Sequence, residues 1–240
     1  MRLRTLPSLA LAGMLCAPAA AHAALPGGGL PGIGTDAVRT MLILTMLAVV
    51  PAILISMTSF IRIVVVLSMV RHAFGMPETP PNPVLVSLAL FLTAFTMSPT
   101  FSAVNTGAFE PLMAGRISVE QAMARGSGPL REFMLAQTRD SDIEAIYAIA
   151  KTPLPDKPEQ VEILKLAPAF MLNELRVAFT IGFVILLPFL LIDLVVASIL
   201  LALGMMMVPP ATISLPIKIL MFVLIDGWGL IVQGVLGSFR

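Results

Sequence analysis

The sequence predicts an all-α membrane protein, with about four hydrophobic segments in helical hairpins and a small helical insert on the periplasmic side. Three observations lead there. Hydrophobic residues make up 58% of the 240 positions and charged residues 12%, against about 25% charged in ordinary soluble domains. A soluble chain of this length has too little interior to bury that much apolar surface. Second, 16 of the 29 charges fall within residues 105–165, and the flanks are close to charge-free. Third, the N-terminus has the layout of a secretory signal: Arg2 and Arg4, an apolar stretch from Leu6 to Cys16, then Ala21-His22-Ala23 as a small-x-small cleavage site.

The elements follow in order. Residues 1–23 are expected to be the signal peptide, and residues 24–39 a flexible mature N-terminus rich in glycine and proline. Residues 40–104 then form an N-terminal hydrophobic hairpin. Thr40–Ile61 is a charge-free run of 22 residues, long enough to span a bilayer, with Pro51 expected to kink it. Arg62 interrupts, Ile63–Val70 resumes the apolar pattern, and the proline-rich stretch Met76–Pro83 reads as a turn. Val84–Val104 is the second charge-free run.

Residues 105–165 are the insert. Two capping boxes are legible, Ser118 with Gln121 and Ser141 with Glu144, the second being the closer match. After the latter, Ile143, Ile146, Tyr147 and Ala150 share one helical face. Pro153, Pro155 and Pro158 end that helix. Some 60 residues make a marginal core, so the insert reads as a cap rather than a free-standing domain. Residues 166–240 form the C-terminal hydrophobic hairpin. Gly204, Pro209 and Pro210 form the loop at its tip, which carries Met205, Met206 and Met207.

Charge gives the orientation. With the mature N-terminus outside, the first span runs inward, and Arg62, Arg71 and His72 face the cytoplasm, as the positive-inside rule prefers. The insert and the C-terminus then lie on the periplasmic side, and the methionine tip points toward the cytoplasm.

Several function classes are excluded or weak. A formal charge of +1 with no basic stripe argues against nucleic acid. No phosphate-binding glycine loop, nucleophile elbow or zinc-protease motif occurs, so the protein is not expected to be an enzyme or to use a cofactor. With signal cleavage no cysteine and only His72 remain, which removes disulfides and Cys/His zinc sites.

Two features carry the functional reading. The first is a set of intramembrane charges: Glu174, Arg176, Asp193, Lys218 and Asp226. Each costs about 2.5–3.5 kcal/mol at a helix centre, so each needs a partner or water. With a rise of about 1.5 Å per residue from a tip at Met207, Asp193 lies about 21 Å away, Lys218 about 17 Å and Glu174 about 50 Å. Lys218 can therefore approach Asp193 within one straight hairpin. A Glu174–Lys218 pair would instead join neighbouring subunits. Arg176 either has a partner or snorkels to water. The second feature is the Met-Met-Met loop. Methionine closes irregular apolar gaps without fixing one shape, so a ring of such loops would make a deformable constriction. The alternative is an ordinary turn in a methionine-rich chain.

The blocks PAFMLNELRVAFTIGF (Pro168–Phe183), LLPFLLIDLVVASILLALGMMMVPP (Leu186–Pro210) and LPIKILMFVLIDGW (Leu215–Trp228) resemble the FliP family of type III secretion export-gate subunits. SFIRIVVVLSMVRHAFG (Ser59–Gly75) and PPNPVLVSLALFLT (Pro80–Thr93) resemble it too. The resemblance implies about five copies in a ring with FliQ and FliR, in the inner membrane at the flagellar basal body. Other membrane proteins of the export apparatus surround it, and unfolded flagellar subunits pass through. It implies that Met205, Met206 and Met207 form a pore gasket, and that Glu174 and Lys218 pair between adjacent subunits. Injectisome homologues share these motifs. A small-solute or proton transporter, with Glu174 and Asp193 as relays, is a further alternative.

Overall fold

A computed structural model describes residues 55–76 and 78–239, together with residues 40, 41, 44, 45, 48 and 51–53. The expected signal peptide and glycine-rich N-terminus lie outside the described residues. Residues 1–44 group apart from residues 45–240, and the second group is the one described below. Among the described residues every regular element is helical.

The apolar run Thr40–Ile61 is not one helix. Helical geometry stops after Ser56; Met57 and Thr58 bend, Ser59 turns, and α1 (Phe60–Ala73) begins. The Thr58 hydroxyl accepts from the Phe60 N–H at 3.3 Å, a local bond that competes with the helical ladder. Both Thr58 and Ser59 are buried at this break.

The run Val84–Val104 is also broken. Helix α2 (Asn82–Thr96) ends at Met97, and α3 (Ser98–Val104) follows. Pro99 has no N–H to give the carbonyl four residues earlier, and its ring would crowd that carbonyl in a continuous helix. A π-turn at Asn105–Phe109 and the short α4 (Glu110–Met113) extend α3. The segment Ser98–Met113 lies at 65° to α2. Helical structure thus runs across residue 105 without pause, and it ends at Gly115, whose φ of 68° suits glycine.

The insert proper holds α5 (Val119–Gln137) and α6 (Asp140–Ile149). The Ser118 box forms in both directions: Gln121 N–H donates to Ser118 Oγ and Ser118 N–H to Gln121 Oε1, each at 3.3 Å. The Ser141 box does not form. Helix α6 starts earlier, with Arg139 as its first flanking residue, so Ser141 lies inside it. Asp140 and Asp142 stand in that first turn, where negative charge suits the helix dipole. Ile143 and Tyr147 are buried and Ile146 partly so, whereas Ala150 lies beyond the helix end and is exposed. Phe133 meets Phe170 edge-on at 5.9 Å. The insert's core is completed by Leu166, Ala169 and Phe170, which belong to the next helix.

That helix is α7 (Ile163–Ala202), of 40 residues with Pro168 and Pro188 inside it. At about 1.5 Å per residue it is about 60 Å long, roughly twice a bilayer's hydrocarbon thickness. Its first half packs against both the insert and α1. Gly182 lets α1 approach, since a side chain there would collide with Met69. Helix α8 (Pro210–Leu224) returns antiparallel to α7, and α9 (Gly227–Leu236) leaves it at 66°. The main core gathers Ile63, Val66, Leu67 and Val70 of α1 with Leu85, Phe189, Phe222 and Val235. Phe74 meets Phe222 and Phe189 edge-on at 4.8 and 5.2 Å. Helix α7 alone is long and apolar enough to cross a membrane, and the two bent pairs pass when each is taken as one span, giving up to three among the described residues.

Candidate functional site

The hairpin tip is set by backbone chemistry. Gly204 adopts φ 75°, a conformation that costs a residue with a Cβ about 1–2 kcal/mol. Its N–H donates to Leu201 O at 3.0 Å, and the Met205 N–H to Leu200 O at 2.9 Å. This is the Schellman closure, which satisfies the last carbonyls of α7. Pro209 flanks the start of α8 and Pro210 is its first residue, where a missing N–H is harmless. Three residues thus turn the chain sharply, and they leave the methionines unequal. Met205 is tied into the closure and 44% exposed, whereas Met206 is 81% and Met207 96% exposed. The apex of the hairpin is two projecting thioether side chains.

The charges pair within the chain. Lys218 Nζ lies 2.6 Å from Asp193 Oδ2 across the hairpin and also donates to Ala73 O at 3.2 Å. That carbonyl ends α1, where a cation is favourable. Glu174 is fully buried and paired with Arg62. Glu174 and Lys218 do not meet within one chain, as helical rise requires, and each has its own partner there. Helix α7 is continuous from Glu174 to Asp193, the partner of Lys218, and at about 1.5 Å per residue this separates them by about 28 Å.

Arg62 corrects a second expectation. It does not face the cytoplasm with Arg71 but is 2% exposed. Its Nε donates to Glu174 Oε2 at 2.8 Å, and Nη2 to Glu174 Oε1 and to Gln137 Oε1. Nη1 donates to Ser238 O at 2.9 Å and Ser238 Oγ at 3.0 Å. All five guanidinium hydrogens are thus used. The ring of Phe239 sits 3.9 Å from Cζ, within cation–π range. One side chain joins α1, α5, α7 and the segment after α9. The signal available in the sequence was an arginine inside an apolar run, which demands a partner as Glu174 does.

Arg176 does not snorkel freely. Its Nη1 and Nη2 grip Asp142 Oδ2 and Oδ1 at 2.7 and 2.8 Å, which fastens α6 to α7. Asp226 has no ion-pair partner among the described residues and is exposed at the bend between α8 and α9, in a left-handed conformation with φ 50°. There it is a joint rather than a buried charge. His72 is exposed.

Comparison with known proteins fits this architecture. A model of the FliP family matches residues 43–235. The flagellar biosynthetic protein FliP of Pectobacterium carotovorum subsp. carotovorum is 53% identical over 193 residues, which cover 80% of this chain and 75% of that protein. Its counterpart in Bacillus subtilis (strain 168) is 50% identical over 192 residues, covering 80% and 87%. That of Caulobacter vibrioides is 47% identical over 194 residues, covering 81% and 73%. On a family match that spans most of its length, this chain, an all-α membrane protein, belongs to the FliP family.

Proposed function

We propose that this chain is a pore-forming structural subunit of the flagellar type III protein export gate. It works by shape and sealing, without a catalytic step or cofactor. About five copies assemble in a ring with FliQ and FliR in the inner membrane, among the other membrane proteins of the export apparatus. Unfolded flagellar subunits pass through the centre. The insert, mature N-terminus and C-terminus lie on the periplasmic side.

The observation that carries this reading is the tip. Two apolar, adaptable side chains, Met206 and Met207, stand almost wholly exposed on a loop held by a Schellman closure and two prolines. Nothing else among the described residues covers either side chain. In a ring such pairs would converge into a gasket that yields to an extended chain and closes behind it. The flanks support the ring. Leu191, Leu194 and Leu201 of α7 and Leu220, Val223 and Leu224 of α8 are each more than half exposed. Helix α7 also exceeds the hydrocarbon thickness, so part of that surface needs neighbouring subunits. The relatives named above are flagellar proteins, which favours the flagellar over the injectisome branch. The transporter alternative loses support because Glu174 and Asp193 are each held by a cation.

Co-purification with FliQ and FliR followed by native mass measurement tests the assembly. Several copies of this chain in one complex are expected. A stable lone monomer that transports by itself would contradict the reading.

A further inference from the structure

We propose that residues 227–239 form a latched arm: helix α9 swings as a unit about Asp226–Gly227 and is locked by the closing of Ser238 and Phe239 over the Arg62–Glu174 pair.

The joint is built for one sharp turn. Asp226 takes a left-handed conformation, with φ 50° and ψ 54°, which aspartate tolerates better than most residues. Gly227 follows because a side chain there would strike the Phe222 ring, and Gly229 leaves room for the Asp226 carboxylate. The α8–α9 bend is 66°, so the arm leaves the hairpin and crosses back to α1. It seats there through Ile231 and Val235, both buried in the main core. At its far end Ser238 Oγ donates to Val235 O at 2.6 Å and accepts from Arg62. Phe239 covers the guanidinium face.

The lock is strong because Arg62 needs it. With the arm away, two guanidinium hydrogens and one cationic face would exchange these partners for solvent beside a carboxylate that stays in the core, so opening costs the arm's contacts with Arg62. Opening would break the arm's contacts with Phe222 of α8, which meets Trp228 edge-on at 5.4 Å and shares the core with Ile231 and Val235, but would leave the Lys218–Asp193 pair of the hairpin in place.

Hydrogen exchange by mass spectrometry on the full-length protein in its assembled complex tests this. Phe239→Leu keeps apolar bulk and removes the cation–π contact, whereas Phe239→Tyr keeps it. Phe239→Leu should speed exchange in residues 227–236 by about tenfold, with residues 140–149 and 210–218 unchanged. Phe239→Tyr should stay at the wild-type rate. Unchanged exchange at 227–236 in Phe239→Leu, acceleration spread over the whole chain, or identical behaviour of the two variants would overturn the latch.

Discussion

Lys218 and Asp193, 25 residues apart in sequence, face each other from opposite arms of the hairpin at 2.6 Å. The pair is uneven: the Lys218 side chain is 6% exposed and that of Asp193 41%. Removing either partner therefore has different consequences. Asp193→Ala strands a buried ammonium and should destabilise by about 2–3 kcal/mol. Lys218→Met removes the buried member, leaves the more exposed one, and should cost about 1 kcal/mol. The unfolding midpoint in detergent should fall further for Asp193→Ala. The reverse order would mean that the pair is not arranged this way.

The Arg62–Glu174 pair is buried on both sides. Arg62→Ala should cost about 3–5 kcal/mol, since it leaves a carboxylate without water or partner. Arg62→Ala combined with Glu174→Ala should cost less than the two single changes added together. The exchange Glu174→Lys with Lys218→Glu should not restore assembly. Each new charge would face a like charge in its own chain, Arg62 in one case and Asp193 in the other. Recovery of assembly in that double variant would point to direct pairing between subunits instead.

The insert is held to α7 by the two-pronged Arg176–Asp142 bridge, half-exposed on the arginine side. Asp142→Asn should weaken it by about 1 kcal/mol, which corresponds to roughly fivefold more opening. Limited proteolysis by trypsin after Lys151, in the connecting stretch, reads this directly. Cleavage should quicken by that factor while α7 stays protected, and an unaltered rate would show that the bridge contributes nothing.

Much of this was legible in the sequence. Helical rise alone brought Lys218 within reach of Asp193, because a straight hairpin has one register once its tip is known. Gly204, Pro209 and Pro210 announced the tip because only certain residues suit those backbone positions. Other features stayed hidden. Counting charge-free residues cannot see the breaks at Thr58–Ser59 and Pro99, where side-chain hydroxyls and a missing N–H interrupt apolar runs. The rule for loop charges misplaces Arg62, whose neighbours Ile61 and Ile63 belong to the core. The Ser141 box failed because a box pattern does not say which residue starts the helix. Asp226 looked like one more intramembrane acid, and its left-handed backbone is a tertiary result of the α8–α9 bend.

The central claim is that the projecting methionines seal a pore. Ion conductance through the assembled complex in planar bilayers measures this most directly, with complex integrity checked by native mass. Met206→Ala combined with Met207→Ala should leave assembly intact and raise leakage clearly, and Met205→Ala, which trims the side chain that projects least of the three, should raise it less. An intact complex of the double variant that conducts no more than wild type would contradict the account.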